Sequence, residues 1–77
     1  MDKMTSPSKA EISITLNGKL RSTRNSIRVS DLLEELDLRE RLVVVERNGA
    51  IVRRDAYADT LLEDGDVLEI VHFVGGG

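Results

Sequence analysis

The sequence predicts an α+β domain, a mixed sheet of about five strands with one helix packed on one face. Three observations carry this expectation. Ile12, Ile14 and Leu16 alternate with Glu11, Ser13 and Thr15, the period of a half-buried strand. Asn17-Gly18 and Asn48-Gly49 each separate two strand-like runs, and Asn-Gly supplies the positive backbone angles of a tight hairpin. One segment alone, Ser30–Leu38, takes up helical spacing. At 77 residues, 40% of them apolar, the chain supports a single domain with a small core.

Residues 1–10 (MDKMTSPSKA) are small and polar, hold the only proline and read as a flexible leader in which Met4 offers a second start. The folded domain is expected over residues 11–74. Glu11–Leu16 is the first strand. After the Asn17-Gly18 turn, Lys19–Val29 returns as a polar, arginine-rich edge strand, with Leu20, Ile27 and Val29 as its apolar contacts. Ser30 is the expected helix N-cap, with Asp31 in the first turn where the helix dipole favours negative charge. Leu32, Leu33 and Leu36 fall on one face of SDLLEELDL, and a helix this short must be pressed onto the sheet to hold. Leu42–Arg47 is a strand that is apolar on both faces, and Ala50–Val52 is its short hairpin partner. Arg53–Leu62 is irregular, with Tyr57, Leu61 and Leu62 as anchors. Glu63-Asp64-Gly65-Asp66 is a turn in which Gly65 takes the left-handed conformation. Val67–Val74 is the last strand, and Gly75-Gly76-Gly77 follows as a flexible glycine tail.

Composition excludes several classes of function. The 11 basic and 14 acidic residues leave a net charge of −3, which argues against nucleic-acid binding. Charge is uneven along the chain. Residues 1–30 carry six basic groups against two acidic ones, and residues 31–77 five against twelve. The acidic part suits docking to a basic partner surface, or is a solvated face. No apolar run approaches the roughly 20 residues of a membrane span, and residues 1–10 lack the apolar centre of a signal peptide, so a cytoplasmic protein is expected. There is no cysteine, and His72 is the only histidine, which leaves no thiolate or His-based metal site and no cysteine nucleophile. The acidic turn lacks the spaced ligands of a calcium loop, and Arg53-Arg54 reads as a solvated pair. No catalytic constellation is present.

The candidate reactive group is the chain end. A strand that runs into three glycines and stops is expected to leave a free α-carboxylate on an arm without side chains, reaching at most about 10 Å. Without Cβ atoms, Gly75 and Gly76 can thread a tunnel too narrow for other residues and deliver Gly77 to another enzyme's active site.

The order of elements gives the ubiquitin-like β-grasp arrangement, and over residues 11–77 the chain resembles the ThiS-type sulfur carrier proteins of thiamine biosynthesis. The features that carry the likeness are LNGK (Leu16–Lys19), SDLLEELDL (Ser30–Leu38), VVVERNG (Val43–Gly49), V-x-R-x-x-Y (Val52–Tyr57) and the ending L-x-x-GD-x-x-EIVHFVGGG (Leu62–Gly77). The family's tail ends in Gly-Gly, and Gly75 adds a third glycine without altering the reactive end. The resemblance implies that a ThiF-like adenylating enzyme uses ATP to convert the Gly77 carboxylate to an acyl-adenylate. Sulfur drawn from cysteine through a desulfurase then displaces AMP to leave a thiocarboxylate, which donates sulfur to a ThiG-like thiazole synthase. The protein itself would be a co-substrate that binds no cofactor and catalyses nothing.

Alternation along the strands also suggests where partners dock. Leu68, Ile70 and Val74 are expected to face the helix, with Val67, Glu69, Val71 and Phe73 facing away. Likewise Val43 and Val45 face inward, and Val44 and Glu46 outward. A single helix covers one side, so Val44, Val71 and Phe73 form a candidate apolar docking patch near the tail, unless the leader or the Arg53–Leu62 segment covers it. Three alternatives remain beside the thiamine carrier. They are the small-subunit sulfur carrier of molybdopterin synthase, a ubiquitin-like modifier joined through Gly77 to lysines, and a plain binding domain.

Overall fold

The computed structural model describes residues 10–73. The expected leader, apart from Ala10, and the expected glycine tail Gly75–Gly77 with Val74 lie outside the described residues. Five strands and one helix follow the predicted order: β1 (Glu11–Leu16), β2 (Lys19–Arg24), α1 (Val29–Glu35), β3 (Val43–Arg47), β4 (Ala50–Val52) and β5 (Val67–His72). The strands form one sheet in the order β2-β1-β5-β3-β4. β5 runs parallel to β1 and antiparallel to β3, so the last strand lies in the middle of the sheet. Both Asn-Gly turns have positive φ at both residues (50° and 84° at Asn17-Gly18, 53° and 87° at Asn48-Gly49), the twist that matches flanking strands.

The core sits between the sheet and α1. Ile12, Ile14, Val43, Val45, Leu68 and Ile70 from the strands meet Val29, Leu32 and Leu33 from the helix, closed at one end by Ile27, Tyr57 and Leu62. Tyr57 is 2% exposed, and burial raises its phenol pKa above the ordinary value. The opposite face of the sheet has no helix among the described residues.

Five local expectations need correction. The edge strand β2 ends at Arg24, not Val29, because Asn25 and Ser26 form a turn: Ser26 has φ 66°, and its N–H donates to Asn25 Oδ1 at 2.8 Å. The turn sends Ile27 and Val29 into the core. Leu20 is 81% exposed and contacts no core: it pairs with Thr15 and so stands on the uncovered face, while Thr23, opposite Ile12, takes the buried position on β2. The helix N-cap is Arg28, not Ser30. Arg28 is held extended (φ −98°, ψ 164°) by a lone antiparallel bridge to Leu61, and its N–H donates to Asp31 Oδ2 at 2.9 Å. That bridge also explains Leu61, which takes part through its backbone and leaves its side chain 46% exposed, whereas Leu62 is buried. Finally, β3 begins at Val43, because Glu40–Leu42 is a turn of 3-10 helix.

The C-terminus of α1 is closed by two backbone bonds, Leu38 N–H to Leu33 O (2.9 Å) and Asp37 N–H to Glu34 O (3.0 Å), with Asp37 in the left-handed region at φ 59°. This satisfies carbonyls that a seven-residue helix would otherwise expose, and it turns Leu38 back against the core.

Candidate functional site

The strand that leads to the glycine end is held on both sides before it leaves the sheet. On the β3 side, the Phe73 N–H donates to Leu42 O at 2.7 Å, so residues 67, 69, 71 and 73 turn their peptide groups toward β3. Residues 68, 70 and 72 therefore turn theirs toward β1. There the ladder is short: Thr15 and Leu16 pair with Val67 and Leu68, and then the chain turns away at Asn17. Asn17 takes the place of the missing strand residue. Its N–H donates to Leu68 O (2.9 Å), its Oδ1 accepts from Ile70 N (2.8 Å), and its Nδ2 donates to Ile70 O (3.2 Å). Beyond Ile70 no neighbouring strand lies on that side among the described residues, so His72 presents its peptide N–H and C=O along an open edge just before the tail.

The start of β5 is fixed by a second polar knot. Asp66 is 6% exposed, and its carboxylate accepts three hydrogen bonds: from Arg47 Nε (2.8 Å), Glu63 N (2.8 Å) and Asn48 Nδ2 (3.0 Å). Burial pushes this carboxyl up. The hydrogen bonds from Glu63, Arg47 and Asn48 and the Arg47 charge outweigh it, so the pKa lies below the ordinary carboxylate value. Asn48 Oδ1 also accepts from Val67 N at 2.9 Å, and Gly65, at φ 89°, donates its N–H to Ser13 O at 2.7 Å. The EDGD segment is thus the expected turn, and Asp66 is its internal ligand. Asn17, Asn48 and Asp66 were legible only as turn residues; the long-range bonds of their side chains had no local signal.

The expected docking residues fall on the uncovered face. Val44 and Val71 are direct cross-strand partners, and Phe73 continues on the same side of β5. Val71 is 55% and Phe73 54% exposed, and Val44 is half-buried between its neighbours. Val67 and Ile51 add further exposed apolar surface to this face. Neither the Arg53–Leu62 segment nor any other described element covers Val71 or Phe73. The expected adenylation residue Gly77 and the threading residues Gly75 and Gly76 lie outside the described residues. Among the described residues, no group of three or more His, Asp or Glu side chains is placed to hold a metal, and no helix is long and apolar enough to cross a membrane.

Comparison with known proteins places this arrangement. Residues 14–77 match the model of the ThiS family, a span that includes the glycine end. The chain is 43% identical over 65 residues to the sulfur carrier protein ThiS of Bacillus subtilis, a match covering 83% of this chain and 98% of that one. It is 47% identical over 64 residues to a thiazole synthase of Paramagnetospirillum magneticum, but there it spans only 20% of the longer protein. The crystal structure of the thiamine biosynthesis protein ThiS from Geobacter metallireducens superposes with a TM-score of 0.73 at 36% identity, covering 86% of this chain and all of that one. That superposition carries the β-grasp fold, and with the family match it shows that the chain belongs to the ThiS family of sulfur carrier proteins in thiamine biosynthesis.

Proposed function

We propose that this carrier works as a protein co-substrate, not an enzyme, and that Gly77 is its reacting residue. The carboxylate of Gly77 attacks the α-phosphorus of ATP in the active site of a ThiF-like adenylating enzyme, expelling pyrophosphate. An ionised carboxylate is a poor acylating agent, and the adenylate supplies AMP as a good leaving group. Sulfur drawn from cysteine through a desulfurase arrives as a persulfide, whose terminal sulfur displaces AMP; a thiol then reduces the resulting acyl disulfide to leave a thiocarboxylate, which a ThiG-like thiazole synthase consumes in the cytoplasm. Gly75 and Gly76 thread the active sites, and Val44, Val71 and Phe73 dock the body against the enzyme.

The observation that carries this reading is the family match running through residues 14–77, across the last strand and the glycine end together. Two further observations support it. The central position of β5, bonded on both sides as far as Ile70, gives the tail a fixed point of departure. The thiazole synthases of Paramagnetospirillum magneticum and Magnetococcus marinus each contain a stretch similar to this chain, in which carrier and synthase at one address would meet at high effective concentration.

Intact mass tests the reading. The protein is incubated with ATP, the thiamine-pathway adenylating enzyme and a cysteine-fed sulfur source. The expected result is an ATP-dependent gain equal to one oxygen replaced by sulfur, mapped to the C-terminal peptide and lost on deleting Gly77. No gain with a demonstrably active enzyme refutes it. Consumption of the charged protein by thiazole synthase, rather than by molybdopterin synthase or by conjugation to lysines, identifies the pathway.

A further inference from the structure

The two turns that close the hairpins are built from a chemically fragile residue pair. Asparagine is thermolabile, and a following glycine leaves its backbone nitrogen unshielded by any side chain, free to reach the asparagine Cγ. Nothing stands within 4 Å of the position a Cβ would take at Gly18 or Gly49, and Asn17 and Asn48 are both exposed. The native fold holds the two amides still. Asn17 is bonded twice to Ile70, while Asn48 Nδ2 donates to Asp66 Oδ1 (3.0 Å) and Asn48 Oδ1 accepts from Val67 N (2.9 Å). Reaction therefore waits for a turn to open, and the hairpins differ in what keeps them closed. β1 and β2 are joined by six residue pairs. β3 and β4 are joined by three, at the outer edge of the sheet, with Ala50 and Ile51 exposed. A short, solvated edge hairpin opens at lower free energy than a long one.

We propose that Asn48 is a site of spontaneous deamidation and that its conversion unlatches the start of β5. The Gly49 nitrogen attacks Cγ of Asn48. The N–Cγ bond forms, the Cγ–Nδ2 bond breaks, and the proton of the Gly49 N–H departs with Nδ2 as ammonia. Water, the one co-reactant, then opens the succinimide at Cγ to give aspartate or at the backbone carbonyl to give isoaspartate; nothing is oxidised or reduced. In the aspartate product an oxygen stands where Nδ2 stood, so a carboxylate faces Asp66 and repulsion replaces a hydrogen bond. Isoaspartate adds a backbone methylene to a two-residue turn and spoils the register of β3 with β4. At Asn17 the same conversion costs less. The bond from Ile70 N is then made to a charged oxygen and strengthens, which offsets the loss of the longer 3.2 Å bond to Ile70 O. The proposal stands whether or not Gly77 is adenylated.

The test ages the full chain in warm, mildly alkaline buffer and follows each peptide by mass. Replacement of one NH by O is expected to accumulate at Asn48 at least about fivefold faster than at Asn17, with isoaspartate detected in the Asn48 peptide by enzymatic methylation. In guanidinium-unfolded chain the two sites convert at similar rates. Asn48→Gly, which keeps a turn pair that tolerates positive φ, abolishes the change in that peptide and leaves the slow one at Asn17. Asn48→Asp also keeps the turn, so its melting temperature isolates the contact with Asp66: a fall of about 5–10 °C is expected, against less than half of that for Asn17→Asp. Equal or faster conversion at Asn17, a folded chain that stays intact while the unfolded chain converts, or an Asn48→Asp variant that melts with the wild type overturns the proposal. The aging rates are read on the wild-type chain and need no variant to fold.

Discussion

Replacing Asp66 with asparagine removes the negative charge on which three donors converge at the start of the central strand. Oδ2 accepts from Arg47 Nε and Glu63 N, both at 2.8 Å, and Oδ1 from Asn48 Nδ2 at 3.0 Å. An asparagine keeps one oxygen, so its NH2 must face one of those donors. A hydrogen bond to a charged group contributes roughly 1.5–3 kcal/mol and a neutral one about 1 kcal/mol. Allowing for the bonds that the remaining oxygen keeps, Asp66→Asn is expected to destabilise by about 2–3 kcal/mol, a melting drop of roughly 10–20 °C in a domain of this size. The pH dependence gives a second check. The Asp66 pKa is depressed in the folded state, so its contribution is fully present above the unfolded value near 4 and is lost as pH falls through the folded value. Urea denaturation at neutral pH and again near pH 2.5 should therefore show a gap between wild type and variant that narrows on acidification. A loss below about 0.5 kcal/mol at neutral pH, or a gap that stays constant or widens in acid, would refute the account of Asp66 as an ionised clamp.

Two further substitutions separate the anchoring of β5 from its use. Asn17→Gly keeps the positive φ that the hairpin needs and deletes only the side-chain bonds to Ile70; it should cost about 1–2 kcal/mol in denaturant melts and speed amide exchange at Ile70. Phe73→Ala removes a ring that is 54% exposed while leaving its backbone bond to Leu42, so the melting temperature should fall by only a few degrees, while affinity for the adenylating enzyme, measured by calorimetry, drops about tenfold or more.

What could be read from the sequence was what depends on near neighbours. The hairpins were legible because few residue pairs besides Asn-Gly tolerate two positive φ angles in succession. The two faces of β3 and β5 were legible because side chains alternate, and Val43, Val45, Leu68 and Ile70 lie buried while Val71 does not. The helix was legible as an element, but its cap was not, since Arg28 becomes the N-cap through a bridge to Leu61 from a distant segment. Leu20 misled because an apolar side chain on an edge strand has no local mark of the face it will take. Asp66 looked like any acidic turn residue until Arg47 and Asn48 arrived beside it. The pairing of Val44 with Val71 needs the register of two strands far apart in the chain, and no single segment holds that information.

The way β5 is clamped has a mechanical meaning. Leu68 and Ile70 are bonded to Asn17 on one side and Phe73 to Leu42 on the other, with every bond lying across the strand. A pull on the chain beyond Phe73, directed along β5, therefore loads these bonds together in shear, and none can open ahead of the rest as the teeth of a zipper do. For a carrier whose tail is threaded into an enzyme as proposed, this arrangement makes the body a handle expected to resist unravelling under the tug.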